Sequence, residues 1–180
     1  MSNPTIAIIG AGLTGLSIAK QLQDSQATLT LFDKSRGVSG RLATRRAKLR
    51  DQIIRFDHGT PFLTSTQAAR IQTLFGEATK TADAFGGRLQ AALTTAPSWP
   101  PGIRVAPPGM NQVGKILGHE MTLHLNTTVV GLNRDPHTLG WRIINAEGSA
   151  PESFDLVILT TPPRQAASIL FNTQSTLVHA

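Results

Sequence analysis

The chain has 180 residues, 40% of them hydrophobic and 16% charged, with five histidines, no cysteine and no tyrosine. That profile suits one globular domain with a true core, or one domain with a small excursion, and excludes a disordered or fibrous chain. Without cysteine there can be no disulfide, thiolate metal site or dithiol redox centre. The formal charge is +6, and its densest basic stretch is RLATRRAKLR, residues 41–50. No aromatic interleaves that run and no nucleic-acid motif surrounds it, so it reads as a solvated loop rather than a nucleic-acid interface. No apolar run approaches the ~20 residues of a membrane span. The N-terminal MSNPTIAIIG lacks the basic region of a secretory signal. These features together predict a cytoplasmic protein without nucleic-acid or membrane partners.

Residues 5–9, TIAII, form a continuous apolar run, as in a strand buried on both faces of a parallel sheet. The run breaks at Gly10-Ala11-Gly12. Leu13, Leu16, Ile18 and Leu22 then follow at helical spacing. Residues 26–32, QATLTLF, read as the second strand of a βαβ unit that ends on Asp33. Residues 33–50 read as a basic, glycine-bearing loop with one helical turn, and residues 53–56 as a short strand closed by Asp57-His58-Gly59. Weak helical patterning runs through residues 64–93, with Ala68, Ile71, Leu74 and Phe75 on one stripe. The proline-dense residues 96–109 predict irregular chain.

A helix is expected to open at Pro108-Gly109-Met110 and to end near Gly118. Three short strands follow, over residues 121–125, 128–134 and 141–146, read as a meander with turns at Asp135-Pro136 and Glu147-Gly148. FDLVILT, residues 154–160, is a second buried run that should rejoin the parallel sheet. Pro162-Pro163 stops it, and residues 165–171 begin a last helix.

Gly10-Ala11-Gly12-Leu13-Thr14-Gly15 fits G-x-G-x-x-G where the physics needs it, between a buried strand and an apolar helix. Gly10 permits a tight turn, Gly12 lets a pyrophosphate approach the backbone, and Gly15 lets helix and strand pack closely. The diphosphate then rests on a helix N-terminus, where free N–H groups favour an anion. Asp33, ending the next strand, is placed to accept hydrogen bonds from adenosine ribose hydroxyls and to repel a 2′-phosphate. This pattern serves both NAD and FAD.

After Asp33 comes Lys34-Ser35-Arg36-Gly37-Val38-Ser39-Gly40-Arg41. That stretch resembles the second motif of the flavin-containing amine oxidase superfamily: an acid, a short basic loop, then Gly-Gly-Arg, with Ser39 in place of one glycine. Phe56-Asp57-His58-Gly59, the Pro108-Gly109-Met110 segment, the strand from Thr128 to Leu132 and the run from Asp155 to Pro162 resemble later motifs of renalase-like members. In the last of these, Thr160 stands where the pattern has a small residue.

The resemblance covers nearly the whole chain and implies an α/β Rossmann-type FAD-binding domain, a parallel sheet with a β-meander crossover. It implies noncovalent FAD held by Gly10, Ala11, Gly12, Leu13, Thr14, Gly15, Asp33, Lys34, Arg36, Gly40, Arg41 and the backbone of Val129. The implied reaction moves a hydride from an amine or dihydronicotinamide-type substrate to FAD, with oxygen as acceptor. Residues 1–59 and 102–180 would form the cofactor domain, and residues 60–101 an incomplete substrate-domain insertion. Members of the family are substantially longer and return with a C-terminal Gly-Asp motif, so the chain reads as a truncated form or as a half that needs a partner. Asp57-His58-Gly59 reads first as a polar turn closing a strand, with Asp57 a turn-former and a place for His58 beside the flavin as the alternative, and no catalytic residue is assigned. His119, His124, His137 and His179 lack metal-ligand spacing, so no metal is expected. Two readings stay open beside this one: a non-catalytic nucleotide-binding fragment and an NAD-dependent Rossmann oxidoreductase.

Overall fold

A computed structural model describes residues 2–76, 94–95 and 102–173. Strand β1 (Thr5–Ile9) lies at the centre of a four-stranded parallel sheet of order β12–β1–β2–β8, with β2 at Thr28–Phe32, β8 at Thr122–His124 and β12 at Leu156–Leu159. Ile6 and Ile8 pair with Leu29 and Leu31 on one side and with Leu156 and Ile158 on the other. The two-residue period of β1 divides the core. Ile6 and Ile8 face a cluster containing Leu16, Ala19, Leu31, Met110, Val113 and Leu117. Ala7 and Ile9 face the opposite cluster of Phe32, Leu132, Ile143, Phe154 and Ile169. A strand covered on both faces has no room for a polar alternation, which is why TIAII reads as a continuous apolar run.

Helices α1 (Leu13–Leu22), α2 (Ser65–Gly76) and α3 (Asn111–Leu117) contribute to the first cluster. A three-stranded antiparallel sheet, β9 (Val129–Arg134), β10 (Trp141–Asn145) and β11 (Gly148–Phe154), covers the other face, with α4 (Pro163–Phe171) against β9. Asn172, just past α4, donates its amide to the Val130 carbonyl at 3.1 Å. A smaller sheet joins β5 (Leu63–Thr64), β7 (Ile103–Val105) and β6 (Thr94–Thr95).

The parallel βαβ unit and the buried run of β1 fall where the sequence places them, and the run 154–160 rejoins the parallel sheet as expected. But β12 is half-buried rather than buried, with Leu156 exposed, and four further local expectations are corrected. Residues 121–125 do not start the meander: Leu123 pairs with Leu31, so β8 extends the parallel sheet. The meander's third strand is β11 instead, formed beyond the Glu147-Gly148 turn, where Gly148 takes φ +127°. The run 154–160 is divided at Asp155. Its carboxylate accepts hydrogen bonds from the Thr5 N–H (2.7 Å) and hydroxyl (2.9 Å), so the chain leaves the meander and enters the sheet there. Residues 44–49 are strand β3 rather than loop, paired with β4 (Gln52–Asp57); β7 likewise lies within the stretch expected to be irregular. Most of the expected insertion, residues 60–101, falls outside the described residues, as do the side chains of Leu74 and Phe75.

Strand β4 falls where residues 53–56 predict one, but β3 evaded the pattern because neither face of the ribbon is buried, so no apolar/polar alternation had to be written into it. Leu49, Ile53, Ile54 and Phe56 are all exposed, and Arg46 stands directly opposite Arg55. Among the described residues, the ribbon is tied to the domain at its base, through Thr44 and Asp57.

Candidate functional site

The carboxyl ends of β1, β2 and β12 converge on the turn between β1 and α1, the place where open α/β sheets hold ligands. Gly10 takes φ +114°, a conformation suited to glycine, and is bonded on both sides. Its N–H donates to the Phe32 carbonyl at 2.8 Å, and its carbonyl accepts the Thr160 hydroxyl at 2.9 Å. Ala11 is equally committed: its N–H donates to Asp33 Oδ2 at 2.7 Å and its carbonyl accepts the Ser39 N–H at 2.9 Å. The first half of the fingerprint is thus consumed by the scaffold.

The second half is different. The N–H groups of the first helical turn, from Leu13 onward, have no intrahelical acceptor by helix geometry and point out of the N-terminus. Gly12 just before them takes φ −77° and ψ −179°, open to any residue. A Cβ built there would meet only the Gly40 Cα, at 3.8 Å. At Gly15, by contrast, a Cβ would run into the Gly10 carbonyl oxygen, and at Gly10 it would lie 2.6 Å from Thr160 Oγ1. Protein packing therefore demands two of the three glycines. Among the described residues, nothing demands the third.

Asp33 is held by the same network. Its Oδ1 accepts the Ser35 N–H at 2.8 Å while Oδ2 holds Ala11, and a carboxylate offers about four acceptor positions, so capacity remains for further donors. Its main chain is fixed by the Asp33 N–H to the His124 carbonyl (2.9 Å) and by the Thr127 N–H to the Asp33 carbonyl (2.9 Å). Asn126, at φ +55°, donates its N–H to the Ser35 carbonyl at 3.0 Å, so residues 124–127 form a wall along the Asp33 loop. Phe32 lies beneath that wall, stacked on His124 at 5.0 Å between ring centroids. Val129 is buried behind it in the core between sheet and meander.

The basic loop docks onto the fingerprint itself. Ser39 bridges to Gly12 in parallel strand fashion, is 1% exposed, and donates its hydroxyl to the Asn111 carbonyl at 2.9 Å. It adopts φ +104°, so the serine occupies the conformation that a glycine would take without cost. Gly40 follows at φ +54°, close against the Gly12 backbone. Arg41 is exposed, and Lys34 and Arg36 stand in the exposed loop before it. Arg36 lines an open groove of about 310 Å³ with Val38, Asn111, Lys115, Leu123 and Leu125, between α3 and the β8 edge.

Asp57 and His58 have separate surroundings. The Asp57 carboxylate accepts the Met110 N–H at 2.9 Å and the Thr44 hydroxyl, and Thr44 Oγ1 accepts the Asn111 N–H at 3.1 Å. Asp57 thus caps α3 from outside the helix, satisfying end groups that α3 cannot. His58 is exposed, held by its backbone N–H to the Ala43 carbonyl at 3.1 Å. The residues that sequence reasoning missed are Thr160, Thr44 and the capping role of Asp57. Of these only Thr160 left a signal, a hydroxyl where the resembling pattern has a small side chain.

Comparison with known proteins agrees with this architecture. Residues 8–78 match the family described as NAD(P)-binding Rossmann-like domain. Among solved structures the chain is similar to one named for protoporphyrinogen oxidase from Exiguobacterium sp. 255-15, at 12% identity and TM-score 0.60, covering 96% of this chain and 62% of that one. It is similar to a CLA-producing fatty acid isomerase from P. acnes, at 12% identity and TM-score 0.61, covering 97% and 62%. A putrescine oxidase double mutant redesigned for cofactor binding matches at 14% identity and TM-score 0.53, covering 92% and 60%. The chain spans about three fifths of the length of each. The fold is Rossmann-like.

Proposed function

We propose that this chain is the cofactor-binding part of an FAD-dependent oxidoreductase of the amine oxidase type. The observation that carries the reading is Gly12: a glycine with an ordinary backbone and open space where its Cβ would be, beside the free N–H groups of α1. Such a glycine makes sense when a ligand backs onto it, and a pyrophosphate is the group that free helix-terminal N–H groups receive. Asp33 would take the adenosine ribose with its remaining acceptor positions.

FAD is favoured over NAD by the docking of Ser39-Gly40 on Gly12. That contact supports the resembling motif, in which a basic loop runs beneath the pyrophosphate towards the flavin. Lys34, Arg36 and Arg41 would supply positive charge along that loop, and the Val129 backbone would lie near the adenine. FAD, when bound, supplies the hydride acceptor. The protein's residues bind its ADP portion and fix its direction. An amine or dihydronicotinamide-type substrate and oxygen as acceptor follow from the resemblance to renalase-like proteins, and noncovalent binding is expected because the cysteinyl and tyrosyl links are closed to this chain. Flavin retained in an acid pellet would instead point to a histidyl link, with His58 the first candidate.

The test is the visible spectrum of purified protein before and after acid precipitation. Flavin absorption bands that move into the supernatant support the reading. A colourless protein that takes up NADH but not FAD would favour an NAD-dependent enzyme instead.

A further inference from the structure

We propose that Thr160 is a positioning residue that locks the dinucleotide turn into its binding shape before any ligand arrives; the inference rests on the dinucleotide reading above. Thr160 follows β12 directly, and its N–H continues the sheet by donating to the Ile9 carbonyl at 2.9 Å. Its hydroxyl then reaches two acceptors of the neighbouring chain, the Ile9 carbonyl at 3.0 Å and the Gly10 carbonyl at 2.9 Å. Gly10 is the residue at which β1 turns towards α1, and its N–H is tied to β2 through the Phe32 carbonyl. Thr160 supplies the opposing tie, so the Gly10 peptide is stretched between the strands on either side of β1.

The consequence passes to the helix. The Gly10 carbonyl oxygen is the atom against which Gly15 packs, so its direction sets how closely α1 approaches the sheet. The same oxygen is a buried acceptor, and leaving it without a donor is unfavourable. A valine at this position keeps the shape but puts a methyl where the hydroxyl now lies 2.9–3.0 Å from two carbonyl oxygens. Methyl carbon and carbonyl oxygen need a few tenths of an ångström more, and the turn must move to give it. An alanine removes the tie without the crowding.

The experiment compares Thr160→Val, Thr160→Ala and Thr160→Ser with the parent chain by amide hydrogen exchange and by calorimetric titration with ADP. Faster exchange confined to residues 10–15 in the Val and Ala variants is expected, with about tenfold weaker ADP binding, and Ser should restore both. Exchange at residues 10–15 that stays at parental rates, or ADP affinity that is unchanged in both Val and Ala, would overturn the proposal. So would a Ser variant no better than Ala, since that would make the methyl group, not the hydroxyl, responsible. If the parent chain itself fails to bind ADP, the dinucleotide reading falls, while the exchange comparison still decides whether Thr160 holds the turn.

Discussion

Substituting alanine at Gly12 and at Gly15 separates a glycine kept for a ligand from one kept for the fold. At Gly12 the backbone is ordinary and the nearest protein atom to a new Cβ is 3.8 Å away. Gly12→Ala should therefore leave stability unchanged or raise it by about 0.4–1 kcal/mol, because alanine restricts the unfolded chain more than glycine does. The same methyl would occupy the space beside the α1 N–H groups. Displacing a pyrophosphate enough to lose one charge-assisted hydrogen bond costs about 1.5–3 kcal/mol, roughly 10- to 150-fold in affinity. At Gly15 the methyl would overlap the Gly10 carbonyl oxygen, a backbone atom held by Thr160. Gly15→Ala should destabilise the fold by about 1–3 kcal/mol or more. Urea denaturation and ADP calorimetry on both variants provide the assay. A Gly12→Ala chain that is destabilised by more than about 1 kcal/mol, or that binds ADP as the parent does, would refute the assignment of Gly12 to the ligand.

Asp33→Asn should weaken FAD binding by about 1–3 kcal/mol and also lower stability, because one amide group cannot accept both the Ala11 and the Ser35 N–H; unchanged affinity in an FAD titration would remove Asp33 from the site. For Gly114→Ala, helix propensity alone would favour alanine by about 1 kcal/mol. In α3 the new Cβ would collide with the Ser39 hydroxyl, so a fall in the urea midpoint is expected, and a rise would show that the loop yields. The Thr5 N–H and hydroxyl hold the Asp155 carboxyl below the usual carboxylate range. A pKa lowered by folding contributes stability that is full above the ordinary value of about 4 and lost as pH falls through the lowered one. The stability gap between parent and Asp155→Asn should accordingly close as pH drops from 6 towards 2; a gap independent of pH would contradict the ionised role.

How much of this was legible in the sequence depends on which residues face a core. TIAII announced itself because both faces of the strand are covered, and α1 because its apolar stripe meets the sheet; LVIL was legible as an apolar run although β12 is only half-buried and Leu156 is exposed. The fingerprint could be read because each glycine has a distinct physical duty at fixed spacing. Of the exposed ribbon, β4 was legible but β3 was hidden by its exposure, and the place of β8 by its shortness: three residues carry no period that tells a parallel edge strand from a meander strand. Asp57 read as a turn-former, but it ends β4 opposite Thr44, and its carboxylate works on the amide of Met110, 53 residues away in sequence. Contacts of that separation leave no trace in local pattern. Thr160 stood out only as a departure from a family motif, and its partners became visible when β12 was laid beside β1.

The central claim is that the turn from Gly10 to Gly15 and Asp33 grip the ADP portion of FAD. Fluorescence titration of FAD with the purified, flavin-free chain, followed by displacement with ADP, tests it most directly. Saturable quenching that ADP reverses competitively, and that is lost in Gly12→Ala, is the predicted result. Absence of saturable FAD binding, or binding that ADP leaves untouched, would contradict the account.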